Sequence, residues 1–411
     1  MIVKLFFITP ILFSALFVSA QKKNLPNGEW RAVLERSDGN NIVFNFQTKD
    51  SAGKKILYIK NADERLLVDE IKNTGDSIII KLPFFEAQLH VVLQSNNDLS
   101  GFYYKRLVDN YQVMPMHAYY QQNFRFPVSQ KKTNTNVTGR WAVVFWNDDA
   151  KDSTFDVGEF VQEGNLVTGT FLDPTGDFRY LQGVVDGDLL KLSAFDGSHA
   201  YLFTAKVDHD KMIGLHFSGP TFKNNWIAKK DDQAKLSDEF ALTKMKAGET
   251  RLNFSFKDIN GKKISLSDDR YKNKVVIIQI MGSWCPNCMD ETALMTKLYS
   301  EFKNKGVEII GLAYERSTNF ARSQNSLRSF QKRFDVRYEI LISGVSVNDS
   351  LRSDKTLPQL ERIEGFPTTI FIGKDGKVAK IHTGFNGPGT GEHYAEQQKE
   401  FYDIVNELLT K

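Results

Sequence analysis

The sequence predicts a multidomain protein in which a duplicated all-β N-terminal region precedes a C-terminal α/β domain. Its 411 residues exceed the roughly 100–200 residues of one typical domain. Between Trp30 and about Lys230, short runs of β-forming residues are separated by Gly, Asn and Asp, which is typical of antiparallel strands joined by turns. After Leu252 the pattern changes to buried strands that alternate with helices, which is typical of an α/β domain.

The amino-acid composition excludes several classes of protein. Hydrophobic residues make up 41% and charged residues 25% of the chain, which is the balance of an ordinary globular protein. The formal net charge is only +3, so we expect no nucleic-acid partner, because such proteins carry a strongly basic patch or stripe. Cys285 and Cys288 are the two cysteines of the sequence, which excludes a disulfide-rich scaffold.

The first twenty residues have the pattern of a secretory signal peptide. Lys4 precedes an apolar run at Leu5–Val18, and the small residues Ser19 and Ala20 follow it. The alternative is a membrane anchor. The run is shorter than the roughly 20 apolar residues that span a bilayer, and Pro10 interrupts it. We therefore expect cleavage after Ala20 and an exported protein that is soluble after cleavage.

Residues 21–125 and 137–230 resemble each other, and we predict that they are two copies of one β module. Matching segments lie 111, 112 and 113 residues apart. Each copy is expected to form a small barrel or sandwich, and the alternative is one larger sandwich built from both halves. Neither copy shows a catalytic constellation in its sequence. The matching segments are Gly28–Trp30 with Gly139–Trp141, Gly75–Asp76 with Gly187–Asp188, and Leu99–Phe102 with Met212–Leu215.

A charge-rich linker at 231–248 is followed by the predicted α/β domain at 249–411. The continuous apolar run Lys274–Ile280 is typical of a buried strand. The chain then passes through Cys285 into a helix that ends near Lys303, before Gly306. The elements expected after it are a strand at Val307–Leu312, a helix at Asn319–Phe334, strands at Tyr338–Ile342, Thr369–Ile372 and Val378–Ile381, and a helix at Gly391–Leu409.

The C-x-x-C pair therefore lies where a strand leads into a helix. Unpaired N–H groups and the positive end of the dipole at a helix N-terminus stabilise a thiolate, so Cys285 is expected to be more acidic than a free thiol. Cys288 lies three residues later and can attack a mixed disulfide formed at Cys285. Haem attachment requires His at position 289, where Met289 stands. A zinc site requires two further ligands, and no further Cys or nearby His supplies them.

Two motifs together carry a family resemblance. Trp284-Cys285-Pro286-Asn287-Cys288 at a strand-to-helix turn, with Gly365-Phe366-Pro367-Thr368-Thr369 about eighty residues later, resembles the thioredoxin fold. The signal peptide, an extra segment between the two motifs and Glu291, three residues after the second cysteine, resemble the exported TlpA/ResA-type thiol–disulfide oxidoreductases. The resemblance covers about Phe254 to Leu409 and leaves the β region without a family.

The resemblance and the junction chemistry together assign roles. Cys285 is the attacking thiolate, Cys288 is the resolving thiol, and Glu291 is a proton relay for Cys288; the alternative for Glu291 is an exposed helix residue paired with a lysine. The redox-active Cys285–Cys288 disulfide replaces any cofactor, and no metal is expected. The residues implied in substrate binding are Trp284, Phe366, Pro367, which resembles the family's cis-proline, and Thr368.

The sequence departs from the family at two positions. Ala293 stands where family members often have a proline that bends the helix, so such a bend is in doubt. Phe366 stands before the cis-proline, where Thr, Val or Ile is common. That position faces the cysteines in the fold, so an unusual substrate fit is expected.

The leading functional hypothesis is an exported thiol–disulfide oxidoreductase that acts as a reductase or isomerase. It implies a protein or small-thiol disulfide as substrate and a membrane electron donor, in the periplasm or cell envelope of a Gram-negative bacterium. One alternative is a DsbA-like thiol oxidase, for which a reduction potential near −120 mV is expected. The other is a cell-envelope binding protein whose redoxin domain is passive.

Overall fold

A computed structural model describes residues 24–82, 86–129, 133–147, 152–236 and 242–411 of the protein. The expected signal peptide at 1–20 lies outside these residues, and so does part of the expected linker. The described chain forms two nine-stranded antiparallel sheets and one seven-stranded mixed sheet. The first two sheets are the β modules, and the third belongs to the α/β domain.

The first module is a β-meander that curls until its first and last strands pair. Strand β1 pairs with both β2 and β9, and the sheet order is β4-β3-β2-β1-β9-β8-β7-β6-β5. The edge strands β4 and β5 are separated in the chain by Asp69 alone, so the sheet is a nearly closed barrel. The strands are β1 Gly28–Leu34, β2 Ile42–Ser51, β3 Lys54–Asn61, β4 Glu64–Val68, β5 Glu70–Thr74, β6 Ser77–Lys81, β7 Ala87–Leu93, β8 Leu99–Arg106 and β9 Tyr111–Tyr120.

The second module closes completely. Strand β10 pairs with β11 and β18, and β12 pairs with both β11 and β14, which closes a ring of eight strands with the two-residue strand β13 at its rim. A closed barrel leaves no free sheet edge. The strands are β10 Gly139–Trp146, β11 Ser153–Glu163, β12 Leu166–Asp173, β13 Gly176–Asp177, β14 Leu181–Asp186, β15 Leu189–Phe195, β16 Ala200–Asp208, β17 Lys211–Ser218 and β18 Phe222–Lys230.

The predicted duplication is confirmed. Each strand of the second module begins 111–113 residues after its counterpart in the first, and the two modules form separate sheets rather than one large sandwich. Trp30 and Trp141 occupy equivalent positions in β1 and β10, and both are fully buried. The Trp30 indole donates to Thr48 Oγ1 and the Trp141 indole donates to the Val137 carbonyl, each at 2.9 Å. These tryptophans are core residues of their barrels.

The predicted α/β domain is also confirmed. Its sheet has the order β20-β19-β23-β22-β21-β24-β25, and all seven residues of the inner strand β21 are buried. Strand β21 is parallel to β22 and antiparallel to β24. The elements are β19 Ser255–Asp258, β20 Lys263–Ser265, β21 Val275–Met281, α1 Pro286–Phe302, β22 Val307–Ala313, α2 Phe320–Phe334, β23 Glu339–Ile342, α3 Arg352–Thr356, β24 Thr368–Ile372, β25 Val378–Thr383 and α4 Glu392–Thr410.

The three sheets pack together around the start of α1. One apolar cluster extends from the interior of the first module through Phe195 of the second module to Cys285 and Met289. Phe195 stacks on Phe44 of the first module, with ring centroids 4.1 Å apart. The β modules therefore contact the helix that carries the cysteines. No helix within the described ranges is long and apolar enough to span a bilayer.

Candidate active site

The cysteines lie at the N-terminus of α1, as the sequence predicts. Cys285 is the N-cap residue and Pro286 follows at the first helical position, where its missing N–H costs no hydrogen bond. The Cys288 amide donates to Cys285 Sγ at 3.2 Å. The two sulfurs are bonded to each other, with their Cα atoms 5.2 Å apart. Cys285 is 4% exposed and Cys288 is fully buried, so Cys285 is the sulfur nearer to solvent.

The proline loop lies directly against this disulfide. The peptide bond between Phe366 and Pro367 is cis, which confirms the expected isomer. Cys285 Sγ lies 3.6 Å from the Phe366 carbonyl oxygen. The Trp284 and Phe366 rings meet edge to face with their centroids 5.5 Å apart. The structure therefore brings Trp284, Cys285, Phe366 and Pro367 together.

Thr368 has a different position from the other predicted substrate-binding residues. It is fully buried, and its hydroxyl donates to the Gly365 carbonyl at 2.9 Å. Its side chain therefore supports the proline loop from within the domain.

The comparisons with known proteins agree with this geometry. The Redoxin family model matches residues 246–398. The thiol-disulfide oxidoreductase ResA of Halalkalibacterium halodurans is 33% identical over 161 residues, which cover 39% of this chain and 77% of that relative. The chain belongs to the ResA-type thiol–disulfide oxidoreductases.

Two further comparisons show how far the similarity extends. ResA of Bacillus subtilis is 32% identical over 132 residues, which cover 32% of this chain and 64% of that relative, slightly less than two thirds of its length. Among solved structures, a secreted thiol-disulfide isomerase from Corynebacterium glutamicum is 17% identical, with a TM-score of 0.32, and the match covers 43% of this chain and 96% of that chain.

Glu291 lies inside the ResA-type domain rather than on its surface. Its side chain is fully buried, and Oε1 accepts a hydrogen bond from the Thr369 hydroxyl at 2.6 Å. Oε2 has no hydrogen-bond partner among the described residues. Burial raises the pKa of Glu291 to about 8, against the opposing hydrogen bond from Thr369. The alternative of an exposed ion pair with a lysine is therefore wrong.

Gln279 connects the ResA-type sheet to Cys288. It is a buried polar residue in the otherwise apolar strand β21. Its amide nitrogen donates to the Cys288 carbonyl at 3.1 Å, and its amide oxygen accepts from the Thr292 hydroxyl at 3.1 Å. Sequence analysis missed this residue. The signal was a single glutamine in a run of aliphatic residues, because a buried amide requires partners.

A second buried carboxyl fixes the turn that precedes Cys285. Glu315 Oε1 accepts from the Ser283 amide at 2.8 Å, and Oε2 accepts from the Ser283 hydroxyl at 2.7 Å. Burial raises the pKa of Glu315, and the two Ser283 hydrogen bonds oppose the shift. The Trp284 indole donates to the Tyr314 carbonyl at 2.8 Å. These contacts fix the backbone and the Trp284 ring beside Cys285.

The β modules reach the ResA-type motif itself. The Asn287 side-chain amide, between the two cysteines, lies 3.5 Å from the Asp177 carbonyl of β13. Asp177 Oδ2 accepts from the Gly387 amide at 2.6 Å. The Arg179 guanidinium binds Asp290 of α1 at 2.6 Å and Glu64 of the first module at 2.5 Å. Sequence analysis missed this cluster, because nothing in a single sequence pairs residues of separate modules.

Among the described residues, no group of three or more His, Cys, Asp or Glu side chains is placed to bind a metal ion. The site holds the disulfide between Cys285 and Cys288.

Proposed function

We propose that the protein is an exported thiol–disulfide oxidoreductase that reduces or isomerises disulfides through Cys285 and Cys288. The observation that carries the proposal is the position of Cys285 Sγ, which accepts the Cys288 amide at 3.2 Å and lies 3.6 Å from the Phe366 carbonyl. The amide and the helix N-terminus stabilise a thiolate at this sulfur. The cis-proline loop beside it offers backbone groups to an incoming chain.

The reduced protein transfers two electrons in two exchange steps. The Cys285 thiolate attacks one sulfur of the substrate disulfide, forms a mixed disulfide and releases the other substrate sulfur as a thiolate. Cys288 then loses its proton and attacks Cys285 Sγ, which releases the second substrate thiolate. The substrate gains two electrons, and the cysteines become the disulfide. The two substrate thiolates take up the proton released by Cys288 and one from solvent, which replaces the proton that Cys285 lost when it ionised. A membrane electron donor is proposed to reduce the pair again.

Glu291 is proposed to exchange a proton with Cys288 during the second step. Both residues lie on α1, separated by one helical turn, and both are buried. A carboxyl group whose pKa is raised to about 8 by burial is close in acidity to a thiol, which suits it to accept and return such a proton. Oε2, which has no partner among the described residues, is the oxygen proposed for this role.

The direction of electron flow is tested by the reduction potential. Equilibration of the full-length protein in defined thiol–disulfide buffers is expected to give a potential well below −200 mV, as for a reductase, whereas about −120 mV indicates a DsbA-like oxidase. The companion assay is reduction of insulin disulfides with dithiothreitol as the source of electrons. Cys285→Ala is the control. Absence of insulin reduction, with Cys285→Ala indistinguishable from the natural protein, favours the passive binding protein instead.

The domain organisation and location are proposed to follow the sequence pattern. The proposed units are a signal peptide at 1–20, β modules at 21–125 and 137–230, a linker at 231–248 and the redoxin domain at 249–411. Met245 in the second half of the linker forms a β-bridge with Leu360, which supports close attachment of that half to the redoxin domain. Export to the periplasm or cell envelope is tested by fractionation and by N-terminal sequencing, with Gln21 expected as the first residue.

A further inference from the structure

A cleft of about 480 Å³ opens beside Trp284, between the redoxin domain and the first β module. One wall is the turn Leu107–Asn110 between β8 and β9, and the other is formed by Trp284, Arg316 and Val347. Trp284 directly precedes Cys285 in the chain and contacts the Phe366 ring. The cleft therefore lies beside the residue that precedes Cys285, and a β module forms part of its wall.

The module's wall is fixed to the redoxin domain by an arginine. The Arg322 guanidinium of α2 binds the Glu86 carboxylate, with nitrogen–oxygen distances of 2.5–3.2 Å. It also donates to the carbonyls of Leu107 at 2.6 Å and Val108 at 2.5 Å. Glu86 accepts a further ion pair from Arg106 at 3.4 Å. Glu86 therefore pairs with both Arg322 and Arg106, and the hydrogen bonds from Arg322 hold the turn Leu107–Asn110 against α2.

Arg316 differs from Arg322 because no carboxylate of the described residues pairs with its guanidinium. Its guanidinium carbon lies 5.5 Å from the centre of the Trp284 ring, and within the described part of the chain it forms no ion pair. The adjacent carboxyl, Glu315, is bound to Ser283. Stacking on an aromatic ring orients a guanidinium and leaves its N–H edge free for a planar acceptor. A partly buried, preoriented cation therefore faces the cleft.

We propose that this cleft binds the part of the disulfide substrate that adjoins its reacting sulfur, and that Arg316 binds a carboxylate there. The inference rests on the proposed function and names the substrate class: disulfides with a carboxylate close to the sulfur. A guanidinium binds a carboxylate through two parallel hydrogen bonds, which gives geometric selectivity as well as affinity. The carboxylate belongs either to a small disulfide acid or to an acidic residue of a peptide.

The second module lies against the other side of the motif. There the second module contacts Asn287 through Asp177 and binds Asp290 through Arg179. Asp109 is exposed at the rim of the cleft, and its negative charge repels a carboxylate. Neutralising Arg316 is therefore expected to slow the reaction with a carboxylate-bearing disulfide, and neutralising Asp109 is expected to speed it.

The test uses the full-length protein, reduced beforehand and freed of reductant. Its two thiols supply both electrons and both protons, so one disulfide becomes two thiols while the Cys285–Cys288 disulfide forms. The rate of this oxidation is measured with 3,3′-dithiodipropionate, which carries two carboxylates, and with bis(2-hydroxyethyl) disulfide, which is neutral. Arg316→Gln is expected to slow the reaction with the diacid about tenfold or more and that with the neutral disulfide less than about twofold. Arg316→Lys, which keeps the charge, is expected to be intermediate.

Two further variants provide a second test and a control. Asp109→Asn is expected to raise the rate with the diacid alone, and it provides the test if Arg316→Gln does not fold. Arg337→Gln removes an exposed cation paired with Asp335 and is the control, with both rates unchanged. A pair of disulfide peptides with Asp or Asn next to the cysteine identifies the source of the carboxylate. If Arg316→Gln slows the reaction with the Asp peptide more than that with the Asn peptide, but does not slow the reaction with the diacid, the carboxylate belongs to a peptide residue.

Equal slowing of both small disulfides in Arg316→Gln, with no selectivity between the peptides, overturns the proposal and leaves Arg316 a structural residue. Unchanged rates with all four disulfides overturn it as well. If the reduced natural protein reacts with none of them faster than Cys285→Ala does, the proposed function fails and this inference fails with it.

Discussion

Arg179 of the second β module and Asp290 of α1 form an ion pair 2.6 Å long, two residues after Cys288 in the chain. Arg179 also binds Glu64 of the first module at 2.5 Å. One guanidinium thus joins both β modules to the helix that carries the cysteines. Burial raises the pKa of Asp290 to about 7, even though Arg179 opposes the shift.

Replacement of Arg179 by Met is expected to destabilise the protein by about 3 kcal/mol at pH 8.5, because it leaves two carboxylates buried without their cation. The loss is expected to be smaller at pH 6. The pKa of Asp290 is already about 7 beside Arg179, so Asp290 is mostly protonated at pH 6 and the substitution leaves little unpaired charge on it there. Thermal unfolding of the disulfide form at both pH values measures the difference.

Arg65→Met is the matched control for this experiment. Arg65 lies beside Glu64 and donates to the carbonyls of Ala62 and Glu64, but it is exposed. Its replacement is expected to change stability by less than about 0.5 kcal/mol. Equal effects of the two substitutions, or an Arg179→Met loss that does not depend on pH, contradict the role assigned to the ion pair.

Glu291 is expected to control how the protein responds to pH. The pKa of Glu291 is raised from 4.5 to about 8 by burial, so the folded state holds its proton more tightly than the unfolded state. Stability from this group is present at low pH and is lost as the pH rises from about 4.5 to about 8. Glu291→Gln keeps the shape and removes this loss, so its unfolding free energy is expected to depend less on pH in that range.

The same substitution tests the proton relay. In Glu291→Gln, the pH dependence of thiol reactivity and of the reduction potential is expected to shift or flatten between pH 5 and 9. Glu361→Gln changes an exposed glutamate and is the control. A pH profile in Glu291→Gln that matches the natural protein, with Cys285 still active, removes Glu291 from the mechanism and leaves both cysteines in it.

The two thiols of the reduced protein are expected to differ in reactivity. Cys285 is at the N-cap of α1 and is slightly exposed, whereas Cys288 is fully buried. A thiol nearer the helix N-terminus is more acidic, so iodoacetamide is expected to modify Cys285 first at pH 7. Mass spectrometry of timed samples locates the modification. Faster modification of Cys288 reverses the assignment of attacking and resolving thiols.

His393 provides a second pH-dependent contact between the domains. Its Nε2 lies 3.0 Å from Glu159 Oε1 of β11, and the hydrogen bond to Glu159 raises the pKa of His393 above 6.5. Stability from this pair is therefore present below pH 6.5 and is lost as the pH rises through the raised value. His393→Gln is expected to lower the melting temperature at pH 6 and to leave it unchanged at pH 9. An equal decrease at both pH values contradicts this assignment.

The elements that local pattern determines were predictable. The apolar run of β21, the cysteines at the start of α1 and the repeated Gly-turn segments of the β modules each depend on neighbours in the chain. The burial of Glu291 could not be predicted from the sequence, because a helix position alone does not show what packs against it. The contacts of Arg179 and Arg322 could not be predicted from the sequence for a similar reason. They join residues at least 111 positions apart, and nothing local specifies such pairs.

The most direct test of thiol–disulfide exchange at Cys285 is trapping of the mixed disulfide in Cys288→Ala. Without Cys288 the mixed disulfide forms but the second step cannot resolve it, so the variant expressed in its host is expected to carry a substrate bound through Cys285. The adduct is expected to disappear on reduction and to be absent from Cys285→Ala. Identification by mass spectrometry names the substrate. A Cys288→Ala protein that carries no adduct, while its Cys285 reacts freely with iodoacetamide, would contradict the account.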